Sequence, residues 1–256
     1  MKDPIIVIGL GELGSVFARG FLKTGHPVFP VTRDMDMHLV AQTHPNPKAV
    51  MVAVGESDLS EVLKNCPESW KNNLILIQNE LLPRDWQAAN IIEPTVISVW
   101  FEKKKGMDTK VVLPSPIFGA NDRLLFDALA SLDIPSFLLD TQAELNYELV
   151  RKNLYILTTN IAGLEVGGNV NDLMHQHASI MNAVAQDILD IQDQLTGQTQ
   201  DRKRLMAGLI EAIKGDLNHG CMGRSAPARL KRALGFAKDA DIKVPKLTDI
   251  AHHYVK

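Results

Sequence analysis

The amino-acid sequence predicts an α/β protein in which an N-terminal domain built on a parallel β-sheet is followed by an all-helical C-terminal domain. Up to about residue 140, short β-branched runs alternate with amphipathic segments of helix length, which is typical of βαβ units. After Thr141 the strand-like runs stop, and apolar residues recur at helical spacing. A glycine-rich turn also lies between the first strand-like run and the first amphipathic segment.

The strands of the first domain, residues 1–140, are predicted from runs of β-branched residues. These runs are Ile5–Ile8, Val28–Thr32, Ala49–Val54, Leu74–Gln78, Thr95–Trp100, Val111–Leu113 and Ser136–Leu139. Helices are predicted over Leu13–Lys23 and Arg123–Leu132 because their apolar residues fall on one face. The lysine-rich stretch Phe101–Lys110 between two strand-like runs predicts the tip of a hairpin.

The second domain, residues 141–256, is predicted to be helical, with its main breaks at Gly167-Gly168, at Thr196-Gly197 and over Gly220–Pro227. An apolar stripe at helical spacing predicts a core face. Its members are Met174, Ile180, Met181, Val184 and Ile188. Such helices also suit a homodimer interface, so we expect this domain to serve substrate binding and dimerisation.

Composition excludes several classes of protein. The 256 residues are 45% apolar and 22% charged, with a net charge of -3, so neither disorder nor general nucleic-acid binding is expected. No apolar run approaches the roughly 20 residues that span a membrane. Cys66 and Cys221 are far apart and in no metal-binding spacing. We therefore expect a cytoplasmic protein with no metal, nucleic-acid or membrane partner.

The turn after the first predicted strand reads Gly9-Leu10-Gly11-Glu12-Leu13-Gly14, a GxGxxG motif. The first glycine makes the tight turn, the second admits a pyrophosphate close to the backbone, and the third lets the helix pack against the strand. The helix N-terminus then offers N–H groups to phosphate. Strand, motif, helix and second strand follow within about thirty residues. The sequence therefore predicts a Rossmann-type dinucleotide-binding domain.

The end of the second predicted strand bears on the choice of nicotinamide cofactor. It reads Thr32-Arg33-Asp34. An acid at this position accepts a hydrogen bond from the ribose 2′-hydroxyl of NAD, whereas an arginine neutralises the 2′-phosphate of NADP. Arg33, with the Thr32 hydroxyl beside it, favours NADP (NADPH), whereas Asp34 one residue later would favour NAD.

Three further sequence features, together with the glycine motif, resemble those of a known family. Gln78-Asn79 follows the fourth predicted strand, and Arg151-Lys152 precedes Asn160 at the start of the helical domain. With the glycine motif, these residues resemble the ketopantoate reductase family, two-domain NADP-dependent 2-oxo acid reductases with a 6-phosphogluconate-dehydrogenase-like fold. The resemblance covers nearly the whole chain. It implies that Lys152 is the general acid and that Asn79 and Asn160 orient cofactor and substrate.

A lysine can serve as the general acid in such a reaction. Hydride transfer to a carbonyl leaves negative charge on the oxygen, and burial can lower the pKa of an ammonium group toward neutrality, so that it releases a proton. The structural alternative is a solvated Lys152 and a buried, hydrogen-bonded Asn160.

The chain departs from the family pattern where the substrate would bind. Between Asp216 and Asp239 there is no acidic residue, although the family has a glutamate on a late helix there that binds the substrate hydroxyl. The residues that we expect at the substrate site are instead Cys221, in place of the family serine, Arg224, Ser225 and Arg229. Guanidinium groups pair with carboxylate or phosphate, so these arginines favour a small anionic substrate other than ketopantoate, or else form a basic solvated face.

Two hypotheses from different classes follow. In the first, the protein is an NADPH-dependent reductase of a small 2-oxo acid or related carbonyl compound; a hydroxyacid or imine reductase of the same superfold would share Lys152. In the second, the chain keeps the fold and the dinucleotide but has lost catalysis, and acts as a sensor or partner-binding protein. The second is motivated by Gly55, Ile156 and Cys221, which replace a lysine, an asparagine and a serine of the family, and by the stretch without acidic residues between Asp216 and Asp239. The family's glycine after the strand-four asparagine is likewise replaced, by Glu80.

Overall fold

The computed structural model describes residues 2–254. The chain divides into two compact units, the first ending at Leu149 and the second beginning at Val150. The strands are β1 (Ile5–Ile8), β2 (Val28–Val31), β3 (Ala49–Val52), β4 (Leu74–Leu76), β5 (Thr95–Ile97), β6 (Phe101–Glu102), β7 (Lys110–Val111), β8 (Ser115–Phe118) and β9 (Ser136–Leu138). The helices are α1 (Glu12–Lys23), α2 (Met37–Thr43), α3 (Glu56–Lys64), α4 (Pro83–Gln87), α5 (Asp122–Ala130), α6 (Gln142–Val166), α7 (Val170–His175), α8 (Ala178–Thr196), α9 (Arg202–Gly215), α10 (Ala226–Asp239) and α11 (Pro245–Tyr254).

The first unit is built on a seven-stranded sheet with the order β2-β1-β3-β4-β5-β8-β9. The five strands from β2 to β5 are mutually parallel, whereas β8 runs antiparallel to β5, and β9 runs parallel to β8. Ile5 of β1 pairs with Val28 and with Ala49, so β1, β2 and β3 end at the same edge of the sheet. The predicted α/β class with a mainly parallel sheet is confirmed.

One predicted strand was wrong. Val111–Leu113 does not enter the large sheet; Lys110–Val111 pairs with Phe101–Glu102 in a small hairpin, and the next sheet strand is Ser115–Phe118. The strand Ser115–Phe118 was not predicted because it contains Pro116, and a proline, which lacks an N–H group, argues against an internal strand. The Pro116 carbonyl nevertheless accepts a hydrogen bond from the Ser98 N–H at 3.1 Å, so the strand is held through its acceptors.

The core of the first unit lies between the sheet and the helices α1 and α5. Phe17 and Phe21 of α1 and Leu125 and Leu129 of α5 are fully buried, as the apolar faces of these segments predicted. Each such side chain contributes about 1.5–3 kcal/mol on burial. The two helices approach closely at Gly20, where a Cβ atom would lie 2.6 Å from the carbonyl oxygen of Ala128.

The second unit is helical, and within residues 150–254 the only β-type pairing is an isolated bridge between Asn169 and Gly220. Helix α8 supplies the core, with Met181, Val184 and Ile188 buried as the stripe predicted. The buried Asp187 carboxylate accepts a hydrogen bond from the Leu247 N–H at 2.9 Å, which joins α8 to the first turn of α11. Across residues 2–254, every helix is too short or too polar to cross a membrane.

The close approach at Gly20 generates a stability prediction. Gly20→Ala should lower the free energy of unfolding by about 1–3 kcal/mol, because the added methyl group meets a backbone carbonyl that cannot move aside. The measurement is denaturant unfolding followed by circular dichroism.

Gly235→Ala is the matched control, since a Cβ at Gly235 meets none of the described atoms within 4 Å. Because this helical site is exposed and alanine has the better helix propensity, Gly235→Ala should raise the free energy of unfolding by about 0.5–1 kcal/mol. A change of the same sign in the free energy of unfolding of both variants would contradict the close contact between α1 and α5.

Candidate functional site

The predicted glycine turn connects β1 to α1. Gly9 has φ +90°, a conformation that strains any side chain, and its Cβ would lie 2.9 Å from the Ala53 carbonyl oxygen. A Cβ at Gly14 would overlap the Gly9 carbonyl oxygen. A Cβ at Gly11, by contrast, would meet none of the atoms of residues 2–254 within 4 Å. Packing thus requires the first and third glycines, whereas the second leaves space open beside the backbone.

That open space belongs to a cavity of about 760 Å³ at the carboxyl ends of β1, β2 and β3, which we call the β1–β3 cavity. Its lining includes Gly9, Leu10, Gly11, Thr32, Arg33 and Gly55. Helix α1 begins beside it at Glu12, and the first N–H groups of a helix, here those of Glu12 and Leu13, have no acceptor within the helix. Open α/β sheets bind ligands at this edge. The cavity therefore suits a phosphate-bearing ligand.

Arg33 lies at the rim of the β1–β3 cavity with its side chain 92% exposed. Its Nη2 atom donates to Oδ2 of Asp58 at 3.2 Å. Asp58 lies in the first turn of α3, and Glu61, three residues on, also lines the cavity. Sequence reasoning missed both carboxylates because nothing in the local pattern links Arg33 to a helix 25 residues away.

Asn79 lies in a turn, three residues after the last residue of β4. The preceding residue, Gln78, is buried and donates from Nε2 to the carbonyl oxygens of Val52 at 2.7 Å and Val54 at 3.3 Å. These bonds tie the carboxyl end of β4 to that of β3. Glu80 adopts φ +62°, a left-handed conformation that costs a residue with a Cβ atom about 1–2 kcal/mol. The turn therefore keeps a glycine-type backbone without the glycine.

In the second unit, Lys152 lies on α6 and is half-buried. Burial, followed by the positive charges of Arg229 and Arg151, lowers the pKa of the Lys152 ammonium group from 10.5 to about 7. Arg151 is itself held by α9, since its Nη2 donates to Glu211 at 3.1 Å. A lysine with such a pKa can donate a proton at neutral pH.

Asn160 lies further along α6 and is 7% exposed. Its Oδ1 accepts hydrogen bonds from the Gly223 N–H at 3.2 Å and from Nη1 of Arg229 at 3.0 Å, and its Nδ2 donates to the Ile156 carbonyl at 2.9 Å. Two donors facing Oδ1 fix the orientation of the amide. Asn160 therefore holds Arg229 and the loop that precedes α10.

The four residues predicted to contact substrate differ in their burial. Arg229 is buried and contacts Asn160. Arg224 is exposed, and Ser225 is half-buried at the residue before α10. The Cys221 side chain is fully buried, and burial chiefly, with the Asp172 carboxylate, raises the pKa of the thiol to about 11.

Cys221 instead packs the loop over residues 220–223 against α6. A Cβ at Gly163 would lie 2.7 Å from the Cβ of Cys221, so this glycine allows the close approach, and the Cys221 N–H donates to the Gly168 carbonyl at 3.0 Å. Sequence reasoning also missed Gly163. The available signal was a glycine inside a long helical pattern, which costs about 1 kcal/mol and commonly has a packing reason.

Comparisons with known proteins find the fold among solved structures. No family model matches the sequence, and no curated protein matches it. The 2-dehydropantoate 2-reductase of Methylococcus capsulatus is 14% identical, with a TM-score of 0.66 over 96% of this chain and 94% of that one. The dimeric ketopantoate reductase of Staphylococcus aureus is 15% identical, with a TM-score of 0.66 over 98% and 97%.

A complex of D-mandelate dehydrogenase with NADH is 13% identical, with a TM-score of 0.68 over 99% of this chain and 98% of that one. At such identities the likeness concerns the fold, and it extends over both units of the chain. The chain therefore has the fold of the ketopantoate reductases, as the resemblance in its sequence predicted.

Proposed function

We propose that this chain is an NADP-dependent reductase of a small anionic 2-oxo acid and that Lys152 is its general acid. The observation that carries the proposal is the position of the half-buried Lys152 on α6 near Arg229 and Arg151, where burial and these two charges lower the pKa of its ammonium group to about 7. Perturbed pKa values of this kind concentrate at functional sites. In this proposal the protein acts in the cytoplasm as a homodimer, like the dimeric reductase of Staphylococcus aureus.

The first unit would hold the dinucleotide in the β1–β3 cavity. Gly11 leaves room for the pyrophosphate to approach the backbone, and the N–H groups at the start of α1 would donate to its oxygens. Arg33, at the rim, would pair with the 2′-phosphate. When bound, the reduced nicotinamide supplies a hydride to the carbonyl carbon of the substrate.

The second unit would supply the proton. As the carbonyl carbon is reduced, negative charge develops on the oxygen, and the Lys152 ammonium group would donate its proton there to complete a 2-hydroxy acid. Arg229 would pair with a carboxylate of the substrate, and Asn160 positions its guanidinium group. Since residues 217–238 contain no carboxylate, hydroxyl recognition through an acid is lost, and an anionic substrate fits better.

Lys152→Met should abolish turnover, with a loss of at least about a thousandfold in kcat, while NADPH affinity stays within about twofold. The assay follows NADPH oxidation with a panel of 2-oxo acids, and titration calorimetry measures cofactor binding. Lys152→Arg is the matched control: it keeps the charge but cannot release a proton near neutrality, so it should also be inactive. Full activity in either variant would contradict the assignment of Lys152.

The activity should also depend on pH in a defined direction. Because the reduction needs the protonated form of Lys152, kcat/KM should be constant below about pH 7 and fall about tenfold per pH unit above it. Arg229→Gln should move this break to higher pH, since it removes a charge that lowers the pKa of Lys152. Lys231→Gln, an exposed change on the same helix, should leave the break in place; an equal shift in both variants would exclude Arg229 as the cause.

Cofactor choice is tested by titration calorimetry with NADPH and NADH. Arg33→Ala should weaken NADPH binding about tenfold, which is about 1.4 kcal/mol, and leave NADH binding unchanged. Gly11→Ala should block both ligands without loss of stability, because its Cβ meets no described atom within 4 Å and would occupy the phosphate approach. If neither nucleotide binds the unmodified chain, the glycine turn is only structural and the proposed function is wrong.

A further inference from the structure

The β1–β3 cavity carries an arrangement of charges that the proposed function does not account for. Arg33, the cation expected to bind the 2′-phosphate, is already paired with Asp58 at 3.2 Å. Glu61 lines the same cavity from the next turn of α3. Among the described lining residues, one cation therefore faces two carboxylates.

We propose that Asp58 is a second cofactor-selecting residue, which holds Arg33 in an ion pair and competes with the 2′-phosphate of NADP for its guanidinium group. The inference rests on the proposed function, since it needs a dinucleotide in the β1–β3 cavity. It adds that the preference for NADP is set by the balance between Arg33 and α3, and that the unmodified chain discriminates weakly between the two nicotinamide cofactors.

The carboxylate of Asp58 is held in place from two sides. The Asp58 N–H donates to the Gly55 carbonyl at 3.1 Å, which fixes the first turn of α3. Ser57 Oγ donates to Oδ1 of Asp58 at 3.0 Å, so one carboxylate oxygen faces the serine and the other faces Arg33. A carboxylate in the first turn of a helix is also favoured by the helix dipole. Asp58 is thus a fixed negative charge at the rim.

The exposure of the pair decides how the competition proceeds. The Arg33 and Asp58 side chains are 92% and 42% exposed, and such pairs contribute little free energy. A phosphate group with about two negative charges can therefore take Arg33 away from Asp58. The displaced carboxylate, with Glu61 nearby, then lies close to the phosphate and repels it. NADH carries no 2′-phosphate and avoids this repulsion.

The test is titration calorimetry of the full-length chain and its Asp58→Asn variant. The ligands are NADPH, NADH and two probes that isolate the 2′-phosphate, namely 2′,5′-ADP and AMP. Asp58→Asn should bind NADPH and 2′,5′-ADP about tenfold tighter, which is about 1.4 kcal/mol, while NADH and AMP change by less than about twofold. The gain should shrink at high salt, where exposed charges are screened.

Two controls separate pairing from a general charge effect. Glu56→Gln removes the same charge from the same turn of α3, but Glu56 does not line the cavity among the described residues, so it should have a much smaller effect. In the Arg33→Ala background, Asp58→Asn should tighten NADPH binding by less than it does in the unmodified chain, because the competition for the guanidinium group is gone and only the repulsion between Asp58 and the phosphate is relieved. An equal gain in both backgrounds would refute the ion pair as the cause. Circular dichroism checks folding, and Asp58→Ser replaces Asp58→Asn if that variant does not fold.

The outcomes are distinct from those of the proposed function. If Asp58→Asn leaves NADPH affinity unchanged, or tightens NADPH and NADH equally, the role of Asp58 is refuted while dinucleotide binding stands. If no nucleotide binds either the unmodified chain or the variant, the proposed function fails and this inference fails with it.

Discussion

The main electrostatic constraint on the helical unit is that three cations lie near one another: Lys152, which is half-buried, and the arginines Arg151 and Arg229. Isolated cations are expensive to remove from water and repel each other, and the surrounding contacts keep the arginines in place. Glu211 binds Arg151 at 3.1 Å, and the Asn160 amide oxygen binds Arg229 at 3.0 Å. Burial and the positive charges of Arg229 and Arg151 lower the pKa of the Lys152 ammonium group to about 7. The contacts that order α6, α9 and α10 therefore also hold the two arginines whose charges lower the pKa of Lys152.

In the first unit, the glycine turn presents backbone N–H groups, and not cationic side chains, to the β1–β3 cavity. At the glycine turn, Gly9 and Gly14 let α1 approach the end of β1 closely, so that helical N–H groups face the cavity without a cationic side chain behind them. Among the described lining residues, the charged side chains are those of Arg33, Asp58 and Glu61, and Arg33 pairs with Asp58. Under the proposed function, the backbone would recognise phosphate in general, and the exposed side chains would set the choice between the two cofactors. Exposed pairs are weak, which makes that choice easy to change by a single substitution.

Much of the fold was predictable because its signals are local. Amphipathic spacing identified α1 and α5, and the glycine motif identified the turn, since each depends on residues a few positions apart. The strand Ser115–Phe118 was missed because Pro116 breaks the local rule while its carbonyl still serves the sheet. The site was harder. Asn160 is 63 and 69 residues from its donors Gly223 and Arg229, and no periodicity within one element reports a contact between distant segments.

The departures from the ketopantoate reductase pattern affect side-chain chemistry more than backbone geometry. Glu80 stands where the family has glycine, yet the turn keeps φ +62°, because the bonds of Gln78 to β3 fix its approach. Ile156 stands where the family has asparagine, yet its carbonyl oxygen anchors Asn160. The fold is retained despite these substitutions. Under the proposed function, the absence of an acid from residues 217–238 and the buried Arg229 would both favour a substrate of greater negative charge than ketopantoate.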